Sequence, residues 1–258
     1  MKATAFAPGH ISGFFEPVYN QDLAKTGSRG AGININLGAI SEVNIAESTN
    51  QTITVKINNK KVNSPLIHLA IDYLIGKSPL NLDVKIKLNL PLGQGFGMSA
   101  AGALSTTLAL SQLIDRSRND AIRASHFAEI QLKTGLGDVM ASTFGGIEIR
   151  KEAGLPPWGI IEHIPGQGDI VLCVIGEELE TKKVLLDKQK ANLISQYGKI
   201  CTKKLLDNPT IENFFEQSQN FTNKTGLANK KIIDAINVAN NFGAASMCML
   251  GNSIFAMG

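Results

Sequence analysis

A glycine-rich stretch that follows an alternating strand and opens an apolar helix constrains the fold more than any other part of the chain. It reads Pro91-Leu92-Gly93-Gln94-Gly95-Phe96-Gly97-Met98-Ser99-Ala100-Ala101-Gly102. Before it, residues 82–88 alternate apolar and polar side chains, which predicts a strand with one solvent-facing side. After it, apolar residues cover too many sides of the predicted helix for a surface position. We therefore expect this helix to be central and buried.

The same stretch has the chemistry of an anion site. Helix N-termini present unpaired backbone N–H groups and about half a positive charge. The alternating glycines Gly93, Gly95 and Gly97 let the backbone wrap a phosphate without Cβ clashes. Ser99 can cap the helix or place its hydroxyl on a phosphate or Mg²⁺. The alternative is a glycine-rich turn that binds nothing.

Two common nucleotide motifs are excluded by the spelling of this loop. No Gly-Lys-Ser/Thr follows, so it is not a Walker A loop, and Met98 breaks the dinucleotide fingerprint. No regular series of strand–helix–strand units surrounds the loop, which argues further against a dinucleotide-dependent oxidoreductase.

Composition excludes several other classes of protein. Of the 258 residues, 43% are hydrophobic and 18% charged, as in an ordinary globular protein rather than a disordered chain. The net charge of +3 is small and scattered, so we expect no nucleic-acid partner. No apolar run approaches the roughly 20 residues of a membrane span, and no signal-peptide core is present. Three cysteines without zinc spacing predict buried thiols in a reducing, cytoplasmic compartment.

The periodicity predicts an α+β layout with a division at residue 157, giving segments 1–157 and 158–258. A break at Gly154-Leu155-Pro156-Pro157-Trp158-Gly159 marks the division. Strands are predicted at 52–57, 82–88, 160–164, 170–175 and 253–257. Helices are predicted from Ser64-Pro65 to Gly76, after Ser99, from Asn119 to about Lys133, and at 183–206, 210–220 and 228–241.

The full spelling of the loop, Pro-x-x-x-Gly-x-Gly-x-Ser-Ala-Ala, resembles the phosphate loop of the GHMP kinases. This resemblance implies a two-layer α+β fold, with a ribosomal-S5-domain-2-like N-terminal half and a ferredoxin-like C-terminal half. It also implies that ATP and Mg²⁺ are used to phosphorylate a small-molecule hydroxyl. The residues then expected to contact the nucleotide are Pro91, Gly93, Gly95, Gly97, Met98, Ser99, Ala100 and Ala101.

Two further segments resemble superfamily motifs. Ala7-Pro8-Gly9-His10 carries a histidine where many members have Arg or Lys, so His10 is a candidate for catalysis or substrate binding, with a simple turn histidine as the alternative. Gly135-Leu136-Gly137-Asp138 resembles the stretch with the catalytic aspartate. Asp138 is then the candidate base or orienter of the attacking hydroxyl, although it can also serve as a plain helix cap.

Glu129 on the preceding predicted helix lies near the superfamily's Mg²⁺-binding glutamate in sequence. The resemblance makes Ser99 and Glu129 the candidate metal ligands. The alternative for Glu129 is an ordinary solvent-facing side chain.

Segments 8–17, 27–32 and 246–252 together resemble the archaeal pantoate kinases. This resemblance implies transfer of phosphate from ATP to pantoate, giving 4-phosphopantoate for coenzyme A synthesis. The substrate carboxylate needs charged or multiple donors when buried. Arg29 lies in a glycine-rich turn, so Ser28, Arg29 and Gly30, together with His10, are the candidate substrate contacts. A solvated loop arginine is the alternative.

Other functions stay open at this point. One is a GHMP kinase for another small hydroxy acid or a mevalonate-like alcohol. Another is a non-catalytic nucleotide or metabolite sensor, which the presence of Ser99, Glu129 and Asp138 disfavours. Apolar faces on the later helices leave a homodimer open.

Overall fold

The computed structural model describes residues 1–178 and 187–258, and this part of the chain forms two sheets and the helices that cover them. The larger sheet has the order β4-β3-β5-β2-β6-β7, with β1 paired to β2, and the smaller has the order β8-β10-β9. The strands are β1 (Lys2–Val18), β2 (Gly27–Glu47), β3 (Thr52–Ile57), β4 (Lys60–Lys61), β5 (Leu80–Leu88), β6 (Ile147–Glu152), β7 (Ile160–Ile164), β8 (Val171–Val174), β9 (Ala244–Met247) and β10 (Ser253–Met257). The helices are α1 (Pro65–Ile75), α2 (Met98–Leu113), α3 (Arg118–Leu132), α4 (Asp138–Ser142), α5 (Lys188–Asp207), α6 (Ile211–Thr225) and α7 (Lys230–Ala239).

Strand β2 organises the larger sheet. One of its edges pairs with β1, and the other pairs first with β6 and then with β5. The β1–β2 ladder shifts register between Pro8 and Gly9 and between Ser12 and Phe14. Such irregularities turn side chains out of the regular alternation. They lie on either side of His10, which is almost completely buried.

Helix α2 is buried on nearly all sides, as the sequence predicted. Its polar side chains find partners inside the core, because buried hydroxyls without hydrogen bonds are costly. Ser105 Oγ lies 2.6 Å from Ser41 Oγ on β2, and Thr107 Oγ1 lies 2.6 Å from Ser125 Oγ on α3. These contacts fix the helix against the sheet and hold its N-terminus at one position.

Several predicted boundaries change in the structure. Helix α3 is capped by Ser117 in a reciprocal capping box with Asp120, not by Asn119. Cys201 and Cys248 are buried, but Cys173 is exposed on an edge strand. Residues 183–186 of the predicted helix 183–206 lie outside the described residues, and α5 begins at Lys188.

The division of the chain at residue 157 stays a prediction. Strand β7 pairs with β6, so the larger sheet continues past that point to Ile164. An aromatic cluster then joins the sheets and the later helices, since Phe14 of β1 lies 6.3 Å from Phe214 and Phe215 lies 5.2 Å from Phe255 between ring centroids.

The C-terminal segment reaches back to the N-terminal strands. Ser12 forms an isolated bridge with Met249, and Gln94 forms one with Gly251. The glycine-rich loop and the segment before β10 are therefore neighbours. Within residues 1–178 and 187–258, no helix combines the length and the apolar character needed to cross a bilayer.

Candidate active site

The glycine-rich loop holds a conformation that only glycine adopts easily. Gly95 has φ +74° and Gly97 has φ +65°, both in the left-handed region. A Cβ on Gly95 would lie 2.8 Å from the Cys248 carbonyl oxygen, and one on Gly97 would lie 2.8 Å from that of His10. The glycines therefore permit both the turn and its close approach to neighbouring backbone.

Hydrogen bonds hold this loop from two sides. The His10 backbone N–H donates to the Phe96 carbonyl at 3.1 Å. The Ser253 hydroxyl donates to the Gln94 carbonyl at 2.5 Å, and the Gln94 side chain donates to the Gly176 carbonyl at 3.0 Å. The loop is thus positioned before any ligand arrives.

One pocket beside the loop brings together residues that the sequence singled out separately. Its lining consists of Gly93, Gly95, Phe96, Gly97, Met98, Ser99, Ala100, Glu129, Thr134, Asp138, Met249 and Leu250. Pro91 and Ala101 are not among the lining residues, since the lining begins at Gly93 and Ala101 packs in the core. Ser99 is exposed and its hydroxyl makes no hydrogen bond within the described residues, so it does not cap α2. Gly97 occupies the N-cap position instead, and the helix begins at Met98.

A chain of charged side chains runs beneath this pocket. His10 Nδ1 lies 2.8 Å from Asp138 Oδ1, and His10 Nε2 lies 2.8 Å from Glu148 Oε1. Arg150 contacts Glu148 through Nη1 and donates through Nη2 to the Ser12 hydroxyl at 3.2 Å. Burial by itself lowers the pKa of His10, but the hydrogen bonds with Asp138 and Glu148 outweigh burial and raise that pKa above its usual value.

Glu129 is a buried carboxylate without full compensation. Its Oε2 atom has no hydrogen-bond partner in the part of the chain that the structure describes. Burial raises the pKa of Glu129 well above its usual value, and the nearby charge of Asp138 raises it further, against the opposing effects of the Val139 backbone and Arg150. Such a carboxylate is electrostatically suited to a cation.

The residues around Glu129 fit Mg²⁺. This ion binds through one or two carboxylates and completes its shell with waters and substrate phosphates. Glu129 supplies an unpartnered oxygen, and the unbonded Ser99 hydroxyl faces the same pocket. Among residues 1–178 and 187–258, no group of three or more His, Cys, Asp or Glu side chains is placed to hold a metal ion.

A second pocket adjoins the first and shares Asp138 with it. Its lining consists of Ser12, Phe15, Ser28, Thr134, Gly135, Leu136, Gly137, Asp138, Met249 and Leu250. Hydroxyls, backbone N–H groups and apolar side chains therefore line the same small space. This composition suits an organic acid with an apolar body.

The structure separates three predicted substrate contacts from this pocket. Arg29 follows Ser28 on β2 and points to the opposite face, because successive side chains alternate along a strand. Its Nε donates to the Lys151 carbonyl at 2.9 Å and its Nη1 lies 3.7 Å from Glu16. Gly30 packs against the β1 backbone at Phe14, and the His10 side chain is fully buried beneath Asp138.

An apolar cleft lies on the other side of the loop. It has a volume of about 480 Å³ and shares Met98, Ser99 and Thr134 with the loop pocket. Most of its remaining lining is apolar, from Ile57, Val62, Pro65, Leu66, Ile67, Ile86, Leu88, Leu92 and Leu132. No sequence pattern predicted this cleft, since its lining residues come from separate segments of the chain.

Glu148 and Arg150 are site residues that sequence reasoning missed. They alternate with Ile147 and Ile149 on β6, a pattern that predicts a charged, solvent-facing side. In the structure that side contacts the His10 and Ser12 side chains of β1, and Glu148 and Arg150 are 0% and 2% exposed. No local signal distinguishes a buried ion pair of this kind from a wet strand face.

Comparison with known proteins identifies the family of this chain. The model of the family "GHMP kinases N terminal domain" matches residues 65–146. The pantoate kinase of Methanocaldococcus jannaschii is 36% identical over 256 residues, covering 98% of this chain and 91% of that protein. The pantoate kinase of Thermococcus kodakarensis is 33% identical, covering 100% of this chain and 88% of that protein. The chain belongs to the pantoate kinase family of the GHMP kinases.

Solved structures agree with the family. A "phosphotransferase related to CoA biosynthesis pathway" superposes with a TM-score of 0.91 at 32% identity, covering 100% of this chain and 88% of that one. The mevalonate kinase of Methanococcus jannaschii superposes with a TM-score of 0.66 at 16% identity, covering 100% and 90%, and shows the shared fold. The predicted α+β GHMP kinase fold is therefore confirmed. The three segments that resemble pantoate kinases meet in the second pocket, through Ser12, Ser28 and Met249.

Proposed function

We propose that this protein transfers the γ-phosphoryl group of ATP to the primary hydroxyl of pantoate, giving ADP and 4-phosphopantoate in coenzyme A biosynthesis. The observation that carries the proposal is the junction of two pockets at Asp138, one formed by a phosphate-type loop and one suited to an organic acid. Full-length similarity to pantoate kinases supports the choice of acceptor.

The loop pocket supplies the nucleotide side of this proposal. Backbone N–H groups at the start of α2 bind the ATP phosphates, because a helix N-terminus combines unpaired donors with a positive dipole end. Ser99 and Glu129 hold Mg²⁺, which supplies neutralisation of phosphate charge during transfer. The apolar cleft next to Met98 and Ser99 accepts the adenine ring.

The second pocket supplies the acceptor side. The Ser12 and Ser28 hydroxyls and the backbone N–H groups near Gly135 and Gly137 are donors for the pantoate carboxylate. Arg150 lies directly behind Ser12 and takes the cationic role that the sequence suggested for Arg29. Apolar lining residues such as Phe15 and Leu250 pack against the gem-dimethyl group.

Asp138 orients the acceptor hydroxyl or accepts its proton. One of its oxygens is held by His10, and the side chain is 32% exposed, so the other oxygen faces the pockets. Phosphoryl transfer asks the protein mainly for alignment and charge stabilisation, and a fixed carboxylate between donor and acceptor provides the alignment. We propose that the enzyme works on free pantoate in the cytoplasm; a homodimer stays a prediction.

A direct assay tests this function. ADP release is measured through a coupled enzyme reaction with ATP, Mg²⁺ and, in parallel, pantoate, mevalonate, homoserine or shikimate. We expect the highest kcat/KM with pantoate and a product whose mass corresponds to a monophosphorylated acid. Preference for another acceptor would redirect the substrate assignment, and nucleotide binding without turnover on any of them would indicate a sensor.

A further inference from the structure

Glu148 is a fully buried carboxylate that has no role in the phosphoryl transfer proposed above. It lies on β6 and touches neither pocket. Its Oε1 atom lies 2.8 Å from His10 Nε2 and contacts Arg150 Nη1, while its Oε2 atom has no partner among the described residues. A buried charge is costly unless it is paired, so its partners must account for it.

His10 stands between two carboxylates. Its ring nitrogens lie at equal 2.8 Å distances from Asp138 and Glu148. A neutral imidazole has one N–H donor and one lone pair, so its ring could donate a hydrogen bond to only one of the two carboxylates. An imidazolium donates to both, and charge-assisted hydrogen bonds of this kind are the stronger ones.

A third charged group lies beside the ring, since Arg150 Nη1 is 3.2 Å from His10 Nε2. In the described ranges 1–178 and 187–258, the charged groups that face it are Asp138 from α4 and Glu148 and Arg150 from β6. Gly32 of β2 lies against the ring so closely that a Cβ there would overlap Nε2. Glu129 of α3 acts on Asp138 but makes no hydrogen bond to the ring. With His10 charged, Asp138, His10, Glu148 and Arg150 together are neutral.

We propose that Glu148 is a positioning residue for phosphoryl transfer: it holds His10 with both ring nitrogens protonated, and His10 in turn fixes one oxygen of Asp138 so that the other faces the acceptor hydroxyl. The catalytic part of this inference rests on the proposed function. The protonation of the ring does not, because Asp138, Glu148 and Arg150 contact it in the folded protein without any substrate.

The consequence is an alkaline limit to turnover that Glu148 sets. A histidine whose pKa is raised in the folded state stays charged above pH 6.5 and loses its proton as the pH rises through the folded value. Removing one of two adjacent opposite charges typically shifts a pKa by about 1–3 units. Glu148→Gln should therefore move the alkaline limb of kcat down by about 1–3 pH units, with much less loss of kcat at the acid side of the profile.

The test combines ring NMR with pH profiles. Nitrogen-detected spectra of the imidazoles, assigned with His10→Gln, follow His10 from about pH 5 to about pH 9 in wild type and in Glu148→Gln. We expect both ring nitrogens protonated at neutral pH in wild type, and a titration shifted to lower pH in the variant, in parallel with the kcat limb. Glu162→Gln, on the exposed Lys151–Glu162 pair of the same sheet, serves as the matched control and should shift neither.

Each outcome has a distinct meaning. A neutral His10 ring in wild type at neutral pH overturns the proposal without any variant, and so covers the case in which Glu148→Gln fails to fold. A fall in kcat at every pH with an unmoved limb overturns it as well, because that result shows only a structural role. If pantoate is not the substrate, wild-type turnover is absent while the ring titration still gives its answer.

Discussion

The Gly97→Ala variant tests whether the glycine-rich loop must pack closely against β1, apart from the free-energy cost of placing alanine in a left-handed backbone conformation. Gly97 has φ 65° and ψ 17°, and its new Cβ would lie 2.8 Å from the His10 carbonyl oxygen and 2.9 Å from the His10 nitrogen. Gly226, at the end of α6, has nearly the same backbone, φ 62° and ψ 25°, and a Cβ added there would meet nothing within 4 Å. Gly226→Ala is therefore the matched control.

The structure gives the size of the difference. Alanine in the left-handed region costs about 1–2 kcal/mol, and both variants bear this cost. At Gly97 the loop must also move by about 0.6 Å from β1 to reach an ordinary 3.4 Å contact. The 3.1 Å hydrogen bond from His10 N–H to the Phe96 carbonyl then lengthens. Its loss adds about 0.5–1.5 kcal/mol to the free energy cost at this site alone.

Nucleotide affinity should respond more sharply than stability. If the displaced loop loses one charge-assisted hydrogen bond to a phosphate, worth about 1.5–3 kcal/mol, the Kd for ATP rises about 10- to 150-fold in Gly97→Ala. Gly226→Ala should keep the wild-type Kd. Denaturant unfolding gives the two stabilities, and calorimetric titration with a non-hydrolysable ATP analogue gives the two affinities. Equal destabilisation of both variants, with unchanged affinity in Gly97→Ala, would refute the reasoning about this loop.

Three further predictions concern single side chains. Asp138→Asn should lower kcat by about 10²–10⁴-fold, the usual contribution of a general base, while ATP still binds. The control variant is Asp83→Asn, at a partly exposed position. Near-normal turnover of Asp138→Asn in the ADP assay rules out this role. Ser28→Ala should raise the KM for pantoate about tenfold or more by removing a hydrogen bond to a carboxylate, and an equal rise in the KM for ATP would contradict the assignment. Because the folded-state pKa of Glu129 is raised, the contribution of this residue to stability falls as the pH rises above about 4.5. Without Mg²⁺ and nucleotide, Glu129→Gln should therefore unfold at a higher temperature than wild type at neutral pH, yet lose Mg²⁺-dependent turnover. Unfolding temperatures are measured at about pH 5 and about pH 7. An unfolding temperature of the variant no higher than that of wild type argues against a buried charge at this position.

Some parts of the site could be predicted from the sequence because each consists of consecutive residues. The loop from Gly93 to Ser99 needs glycine at fixed steps, and its neighbouring strand and helix follow their own periodicities. Asp138 was found in the same way, within a short glycine-rich segment. Backbone conformation is a local property, so such segments keep their meaning wherever the fold places them.

The substrate side was harder to predict for a physical reason. Ser28 and Arg29 are adjacent in sequence, but strand alternation sends their side chains to opposite faces, and only the register of β2 decides which one meets Asp138. The prediction chose Arg29 because it lies in a glycine-rich turn, whereas the arginine that contacts the pocket residue Ser12 is Arg150, which pairs with a carboxylate two residues before it.

The sequence alone determined that this chain has a phosphate-type loop at the start of a buried helix and that it resembles the pantoate kinases, because both properties depend on short runs of residues. Only the tertiary structure decided that Glu148, 138 positions away from His10, closes a chain of charges that ends at Asp138. Pairing of this kind arises when β1 and β6 are brought together on either side of β2 and water is excluded between them. Burial strengthens charge interactions that the same residues would hardly feel in an extended chain.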